Sequence, residues 1–473
     1  MKILYAAAEA YPFIKTGGLA DVAGSLPLSL NNMGQDVRVV LPLYSRIDRK
    51  YTEEMELIAQ FYVDLDWRHQ YAGVYEYKLD NTIFYFIDNK QYFDRSELYG
   101  ELDDGERFIF FSKAVTMLPK MINFKPDIIH SNDWHCAMVN VLAKDFAIGD
   151  PYYRDIKLLF TIHNLKYQGL FPPDLLQLTG LNPYYFSEDA LKFYDVISFM
   201  KGGIIYSDAF NTVSGSYALE IKNGFFGETL DGVIRKYDYK LSGIVNGIDY
   251  EVWNPETDAF LPHHYSKDDL EGKRQNKLAL QKLYGLPERD DVPIISMVTR
   301  LVEMKGMDLV NHALEELLQK DIQFVVLGTG TAMYEDSLRY FEWKFPDKMR
   351  ARIYYNNDES HLIYAGSDYF LMPSLSEPCG VSQLIAMRYG TIPIVREAGG
   401  LKDTVQPYLE DTGKGNGFSF TNINAHDMMY TIDRALSFYD DPEHFQQIVE
   451  NAMTSEHNWD DSSKAYIQLY EKM

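Results

Sequence analysis

Lys2-Ile3-Leu4-Tyr5-Ala6-Ala7-Ala8, followed by Lys15-Thr16-Gly17-Gly18-Leu19-Ala20-Asp21, sets the architecture of this chain. The first segment is a short apolar run. Past the second, Leu19, Val22, Ala23, Leu26 and Leu30 recur at helical spacing, so the pair reads as strand, glycine loop and helix. Glycines at a helix start let a ligand approach the backbone, the free N–H groups there favour an anion, and Lys15 adds a full positive charge. A tight turn that binds nothing has the same outline, but the lysine two residues before the glycine pair favours a functional loop.

The alternation continues outward. Segments 37–41, 128–130, 158–162 and 210–213 read as strands, 107–120, 135–147 and 188–206 as helices, and 57–63, 73–79 and 82–87 as a meander turning at Asp80-Asn81. The pattern restarts at Gly243-Ile244-Val245-Asn246-Gly247-Ile248-Asp249. A polar segment runs from there to 291, and strands at 294–298, 324–327, 369–372 and 392–395 then alternate with helices at 307–319, 331–341, 359–365 and 380–389. Helices at 425–438, 442–454 and 462–472 close the chain. At 473 residues the sequence is too long for one core of ordinary size. The expected fold is α/β with two Rossmann-like doubly wound domains, 1–242 and 243–457, and a final segment 458–473 packing back on the first. Gly399-Gly400-Leu401-Lys402-Asp403 echoes Gly17-Gly18-Leu19-Ala20-Asp21, which reads as shared strand-loop-helix mechanics and not as a duplication.

A net charge of −24 repels nucleic acid and anionic membrane but not a neutral polymer, so attraction of an anionic ligand must come from a few local cations. The 36 tyrosines suit sugar surfaces as well as cores, and composition does not choose between these uses. Cys136 and Cys379 are far apart and lack metal-ligand spacing. With no basic leader and no apolar stretch long enough to cross a bilayer, the expected location is the cytoplasm.

Two further constellations carry chemistry. Arg300-Leu301-Val302-Glu303-Met304-Lys305-Gly306 follows the first strand of the second half, where open α/β sheets bind ligands, and its two cations can clamp a diphosphate. Solvated cations at a strand end are the plain alternative. Ser374-Leu375-Ser376-Glu377-Pro378-Cys379-Gly380-Val381-Ser382 lies between a buried strand and a helix, with backbone N–H groups at Gly380–Ser382 for an anion. Glu377 can accept hydrogen bonds from sugar hydroxyls, balance charge on a sugar carbon, or merely cap the helix.

Together, Lys15 to Asp21, Arg300 with Lys305-Gly306, Glu377-Pro-Cys-Gly380 and Tyr389-Gly-Thr-Ile-Pro-Ile-Val395 resemble the bacterial glycogen synthase and plant starch synthase family. The resemblance runs nearly end to end. It takes in Asp133-Trp134-His135, Phe160-Thr-Ile-His163-Asn164, Tyr167-Gln-Gly169, Val245-Asn-Gly-Ile-Asp249, Trp253-Asn-Pro255 and Gly399-Gly-Leu-Lys-Asp403. It implies the GT-B arrangement of two Rossmann-like domains facing a cleft, and transfer of glucose from ADP-glucose to the non-reducing end of an α-1,4-glucan. Retention at the anomeric carbon and no metal or other cofactor are also implied. Carried onto this chain, Glu377, His163, Lys305 and Arg300 are the catalytic set, with His163 beside the reacting carbon. Lys15, Gly17, Gly18, Asp21, Asp133, His135, Asn164, Asn246, Tyr355, Cys379, Gly380, Val381 and Ser382 line the substrates. The chain departs from the family pattern at Leu375-Ser376, usually Arg-Phe, at Met304, usually Gln, and at Val381, usually Leu. These positions border the implied sugar and phosphate pocket and bear on the choice between ADP- and UDP-glucose.

Three other readings compete. A glucan-binding paralogue without catalysis is motivated by Leu375-Ser376. A nicotinamide dehydrogenase is suggested by Gly328-Thr329-Gly330, but Met333 stands where the third glycine of that fingerprint belongs. A glycoside hydrolase needs two opposed carboxylates, and no readable pair is present.

Overall fold

The computed structural model describes all 473 residues and divides into two compact units, Met1–Asn246 with Trp459–Met473, and Gly247–Asn458. Each is an α/β unit built on its own, mostly parallel, sheet.

The first unit holds the strands β1 (Lys2–Ala6), β2 (Asp36–Pro42), β3 (Glu56–Leu65), β4 (Arg68–Leu79), β5 (Thr82–Asp88), β6 (Ile128–Asn132) and β7 (Lys157–Ile162). A small antiparallel ribbon of β8 (Leu170–Phe171), β9 (Lys192–Phe193) and β10 (Val196–Ser198) follows, then β11 (Ala209–Thr212) and β12 (Leu241–Gly243). The large sheet runs β12-β11-β7-β6-β1-β2-β5-β4-β3. It is parallel through β5 and ends in the antiparallel meander β5-β4-β3, with its turn at Asp80, where φ is +51°. Ile3, Leu4, Tyr5 and Ala6 are fully buried, as expected of a strand covered on both faces. Helix Gly18–Asn32 and the final helix Trp459–Lys472 pack on one another, with Ser463 Oγ donating to Ser29 Oγ at 2.8 Å.

The first unit extends to Asn246, four residues past the expected boundary. β12 pairs parallel with β11, Ile244 N donates to Thr212 O at 2.9 Å, and Ser462 Oγ donates to Val245 O at 2.6 Å, which binds the segment to this sheet. The expected helix 188–206 is only Phe199–Tyr206. Its front half is the β9–β10 ribbon, which turns at Tyr194 with φ +52°, and Ser198 caps the shortened helix by accepting from Lys201 N.

The second unit carries β13 (Ile294–Val298), β14 (Gln323–Leu327), β15 (Met349–Arg352), β16 (Tyr369–Met372), β17 (Ile392–Arg396) and β18 (Phe418–Phe420). All pairs are parallel, in the order β15-β14-β13-β16-β17-β18. Counted within the unit, this is the 3-2-1-4-5-6 order of dinucleotide-binding folds, with its reversal between β13 and β16. The segment expected to be merely polar up to 291 contains helix Glu271–Tyr284. Its buried face consists of Lys273, Asn276, Lys277, Leu280, Gln281 and Tyr284, so its periodicity is hidden behind polar side chains. Lys273 Nζ donates to Ala365 O, Ser367 O and Thr391 Oγ1 at 2.8–3.0 Å, and Lys277 Nζ sits 2.7 Å from Asp368 Oδ2. Those contacts satisfy groups whose burial would otherwise be costly. The edge strands β15 and β18 were also absent from the expected pattern, and the helix expected over 380–389 spans Ser382–Arg388.

Candidate active site

In the first unit, strand order reverses about β1 and β6, and the loops leaving β1, β6 and β7 carry the residues singled out above. Gly17 is the N-cap of helix Gly18–Asn32 in extended conformation, and a Cβ built on Gly18 meets nothing within 4 Å. No protein contact requires a glycine at 18, and the space over it is open. Lys15 Nζ lies 2.6 Å from Asp21 Oδ1, and both side chains are more than a third exposed. An exposed pair of this kind is worth at most about 1 kcal/mol, so Lys15 remains available to an anion. Beneath the loop, the buried carboxylate of Glu9 accepts from Thr16 N and Thr16 Oγ1 at 2.6 and 2.7 Å, and its burial raises its pKa. Glu9 thus fixes the Lys15 loop from below, a role absent from the sequence reading because Glu9 belongs to no motif.

His163, just past β7, is held twice, by Asn132, the last residue of β6, and by Asp133, which opens the helix that follows. Asp133 Oδ1 accepts from His163 N at 2.7 Å and from Asn164 N at 3.4 Å, while Asn132 Oδ1 lies 2.9 Å from His163 Nε2. Successive side chains of an extended strand point to opposite faces. Asp133 adopts φ +54°, which breaks that alternation and lets both side chains reach His163. Burial pushes the Asp133 carboxyl up to about 7 against the pull of its two N–H donors, and pushes the His163 imidazole down to about 3. His163 is therefore neutral near pH 7 and a weak base. His135 is buried in a cage of Tyr99, Phe108 and Trp134, with ring centroids 4.0–4.9 Å away and Nδ1 without a partner. Asn246, the last residue of this unit, is also buried, with Oδ1 unpaired. Asn164 Oδ1 accepts from Lys166 N at 3.0 Å and so shapes its own turn.

In the second unit the strand reversal between β13 and β16 brings two loops together. Lys305 Nζ lies 2.5 Å from Glu377 Oε2, which also accepts from Ser374 Oγ at 3.0 Å. The Glu377 side chain is 8% exposed and that of Lys305 21%, so the pair is largely shielded from solvent, with the ammonium side the more open. Leu375 N donates to Met304 O at 2.9 Å and stitches the loops directly. Gly306, with φ +75°, passes so close to the other loop that a Cβ would lie 2.1 Å from Pro373 O. From behind, the buried Arg396 at the end of β17 donates to Ser374 O at 2.8 Å and Leu375 O at 2.6 Å. The loop is thus held by backbone contacts that do not depend on the side chains of Leu375 and Ser376. Arg396 was missed in the sequence because it reads only as a strand-end cation.

Gly399 and Gly400 run against the same loop. With φ +44° at Gly399, a Cβ there would lie 2.1 Å from Glu377 O, and Gly400 N donates to that oxygen at 3.1 Å. The Gly-Gly pairs at 17–18 and 399–400 therefore differ: packing demands the latter, and open space surrounds Gly18. Arg300 is exposed, and its guanidinium has no partner in the protein. Gly380 takes φ +74°, Val381 precedes the seven-residue helix Ser382–Arg388, and Cys379 O accepts from Gln383 Nε2 at 3.2 Å. Ser382 opens that helix, and Tyr355 stands 62% exposed beyond β15. Gly328 and Gly330 make room for the Arg300 loop: Cβ atoms there would lie 1.8 Å from Thr299 O and 2.1 Å from Leu301 O. That packing accounts for the glycines that suggested a nicotinamide site.

No cluster of three or more His, Cys, Asp or Glu side chains is arranged to hold a metal ion, and no helix is long and apolar enough to cross a membrane. A shallow hollow bordered by Lys2, Asp36, Lys125 and Asp127 opens at the amino ends of β1, β2 and β6, the opposite end of the sheet from these loops.

Comparison with known proteins agrees with this layout. A family model described as the starch synthase catalytic domain matches residues 2–236, and one for glycosyl transferases group 1 matches 284–454. A curated glycogen synthase of Finegoldia magna is 60% identical over 474 aligned residues, covering 100% of each chain, and one of Bacillus cereus (strain Q1) is 51% identical with the same coverage. Among solved structures, the catalytic domain of starch synthase IV from Arabidopsis thaliana, bound to ADP and acarbose, superposes with a TM-score of 0.93 at 34% identity, covering 100% of this chain and 99% of that one. Sucrose-phosphate synthase from Thermosynechococcus elongatus, at TM-score 0.63 and 15% identity over 99% of this chain and 98% of that one, shares the fold.

Proposed function

Because the chain belongs to the glycogen synthase and starch synthase family of glycosyltransferases, we propose that it transfers glucose from ADP-glucose to the non-reducing end of an α-1,4-glucan, with retention at the anomeric carbon. It is a hexosyltransferase with a nucleotide-sugar donor and a glucan acceptor. The observation that carries the donor chemistry is the Lys305–Glu377 pair at the strand reversal of a 3-2-1-4-5-6 sheet, in which Lys305 shares its loop with the exposed Arg300. A glycosyl diphosphate already has a good leaving group. The protein's task is to neutralise charge growing on the diphosphate as the sugar–oxygen bond breaks, and preplaced cations do this without reorganising. Lys15, Arg300 and Lys305 take that role, and Gly18 leaves its backbone open to the phosphates.

The acceptor hydroxyl attacks the anomeric carbon from the face the diphosphate leaves, forming the new glycosidic bond and passing its proton to the departing diphosphate oxygen. Glu377 and the main-chain carbonyl of His163 offset positive charge on the sugar carbon. The depressed pKa of His163 favours this electrostatic role over general-base catalysis. Asp21, Asp133, Asn164, Asn246 and Tyr355 contact the donor or the glucan, as do residues 379–382. Net charge favours the same reading, since a neutral glucan is not repelled by a −24 protein.

Purified protein given ADP-glucose or UDP-glucose, with and without glycogen, tests this directly. Glycogen-dependent ADP release with amylase-sensitive label supports it, and faster UDP release corrects the donor. Glycogen binding without release from either donor would make the protein an inactive paralogue.

A further inference from the structure

We propose that Asn132 is a positioning residue that locks His163 in the Nε2–H tautomer, so that Nδ1 is presented as the hydrogen-bond acceptor for a hydroxyl of the transferred sugar. The role at the sugar rests on the glucosyltransferase reading above, while the tautomer lock does not. The argument begins with Asn132, which is fully buried at the end of β6. Its Nδ2 donates to Ala6 O at 3.0 Å, and a carbonyl can only accept, so the amide cannot be turned around. Oδ1 must then face His163 Nε2, 2.9 Å away, and an acceptor there requires Nε2 to carry the proton. Tyr5 OH donates to the same Oδ1 at 3.0 Å and takes up its second lone pair.

The imidazole is thereby fixed by a chain of contacts from β1 through β6 to the end of β7. Nδ1 is the nitrogen left over. His163 makes no hydrogen bond to the protein through it, and Nδ1 is not among the buried unpaired atoms, so it keeps an exposed lone pair for a ligand. Asp133 anchors the backbone of the same residue, so two successive side chains set the ring and the main chain of His163 separately. The titratable groups around the ring are Asp133, Tyr5 and His130, with Glu9 acting on Asp133. No carboxylate contacts the ring itself, which keeps it neutral.

The test uses the full-length protein labelled with 15N-histidine, with the His163 signals identified by their loss in His163→Gln. In the unliganded protein, His163 should show a protonated Nε2, an unprotonated Nδ1 and no titration between pH 5.5 and 8.5. Asn132→Asp puts a carboxylate on Nε2 and favours the imidazolium. His163 should then titrate within that range, and kcat should acquire an acid limb, falling as pH drops through the new pKa because Nδ1 becomes a donor. Tyr5→Phe leaves Asn132 in place and should keep the tautomer. Asn132→Leu should lower kcat about tenfold while the KM for the glucan changes less than twofold. A protonated Nδ1 in the wild type overturns the proposal, as does an Asn132→Asp protein without the acid limb. If the tautomer is as stated but neither nucleotide sugar supports transfer, the lock stands and the glucosyltransferase reading falls.

Discussion

Replacing Gly306 by Ala tests whether the placement of Lys305 depends on the close approach of two loops. Two costs arise. An L-residue at φ +75° pays about 1–2 kcal/mol for the left-handed backbone, and the new Cβ would lie 2.1 Å from Pro373 O. Relief to ordinary contact, about 3.4 Å, requires the loops to part by roughly 1.3 Å, and the obstacle is backbone that cannot swing aside as a side chain can. Such parting breaks the Leu375 N to Met304 O bond and carries Lys305 away from Glu377, now 2.5 Å apart. Misplacement on the order of 1 Å in a catalytic constellation costs about 10²-fold in rate. Gly285→Ala is the matched control: its φ is +66°, but its Cβ meets nothing within 4 Å. Both variants should lose about 1–2 kcal/mol of unit stability in urea unfolding. Only Gly306→Ala should lose an additional 1–3 kcal/mol and about 10²-fold in kcat/KM for glucan elongation. Equal activity in the two variants would refute the account of how Lys305 is held.

Gly18→Ala should leave unfolding free energy within about 0.5 kcal/mol of the parent, since open space surrounds its Cβ, yet raise the KM for the donor several-fold; donor titration and urea melts separate the two. Lys15→Ala should weaken donor binding about tenfold with a smaller change in kcat, whereas Glu377→Gln should lower kcat by at least about 10²-fold with donor affinity held within a few-fold, and reversal of that pattern in steady-state kinetics would exchange the two roles. Asp133 binds its proton more tightly folded, near pH 7, than unfolded, near 4, so its contribution makes stability fall as pH rises across that window. Asp133→Asn keeps an oxygen for His163 N and should flatten the slope, so its gain in stability over the parent should be larger at pH 8 than at pH 5 in paired urea titrations.

Local pattern carried most of the fold. Parallel strands buried on both faces read as apolar runs, and the turns between them are marked by glycine, so β1, β13, β16 and β17 and the helices between them were legible. Where burial uses polar groups, the pattern fails. Helix Glu271–Tyr284 presents Lys273, Asn276, Lys277 and Gln281 inward, and only their partners on distant elements make that face a core. The break at 188–198 was hidden for the opposite reason, since its strands of two and three residues are too short to show a period.

The site divides in the same way. The sequence by itself determined that loops bearing Lys15, Arg300, Lys305 and Glu377 follow strands and open helices, because residue type and local spacing suffice to specify a strand-loop-helix unit. It could not decide which charges are already paired or which glycine is crowded. Lys305 meets Glu377 across 72 residues, Gly399 abuts Glu377 O, and Asn132 reaches His163 from the neighbouring strand. Such contacts depend on the order in which strands assemble into a sheet. That order is fixed by packing between elements far apart in the chain, so only the tertiary structure decided them.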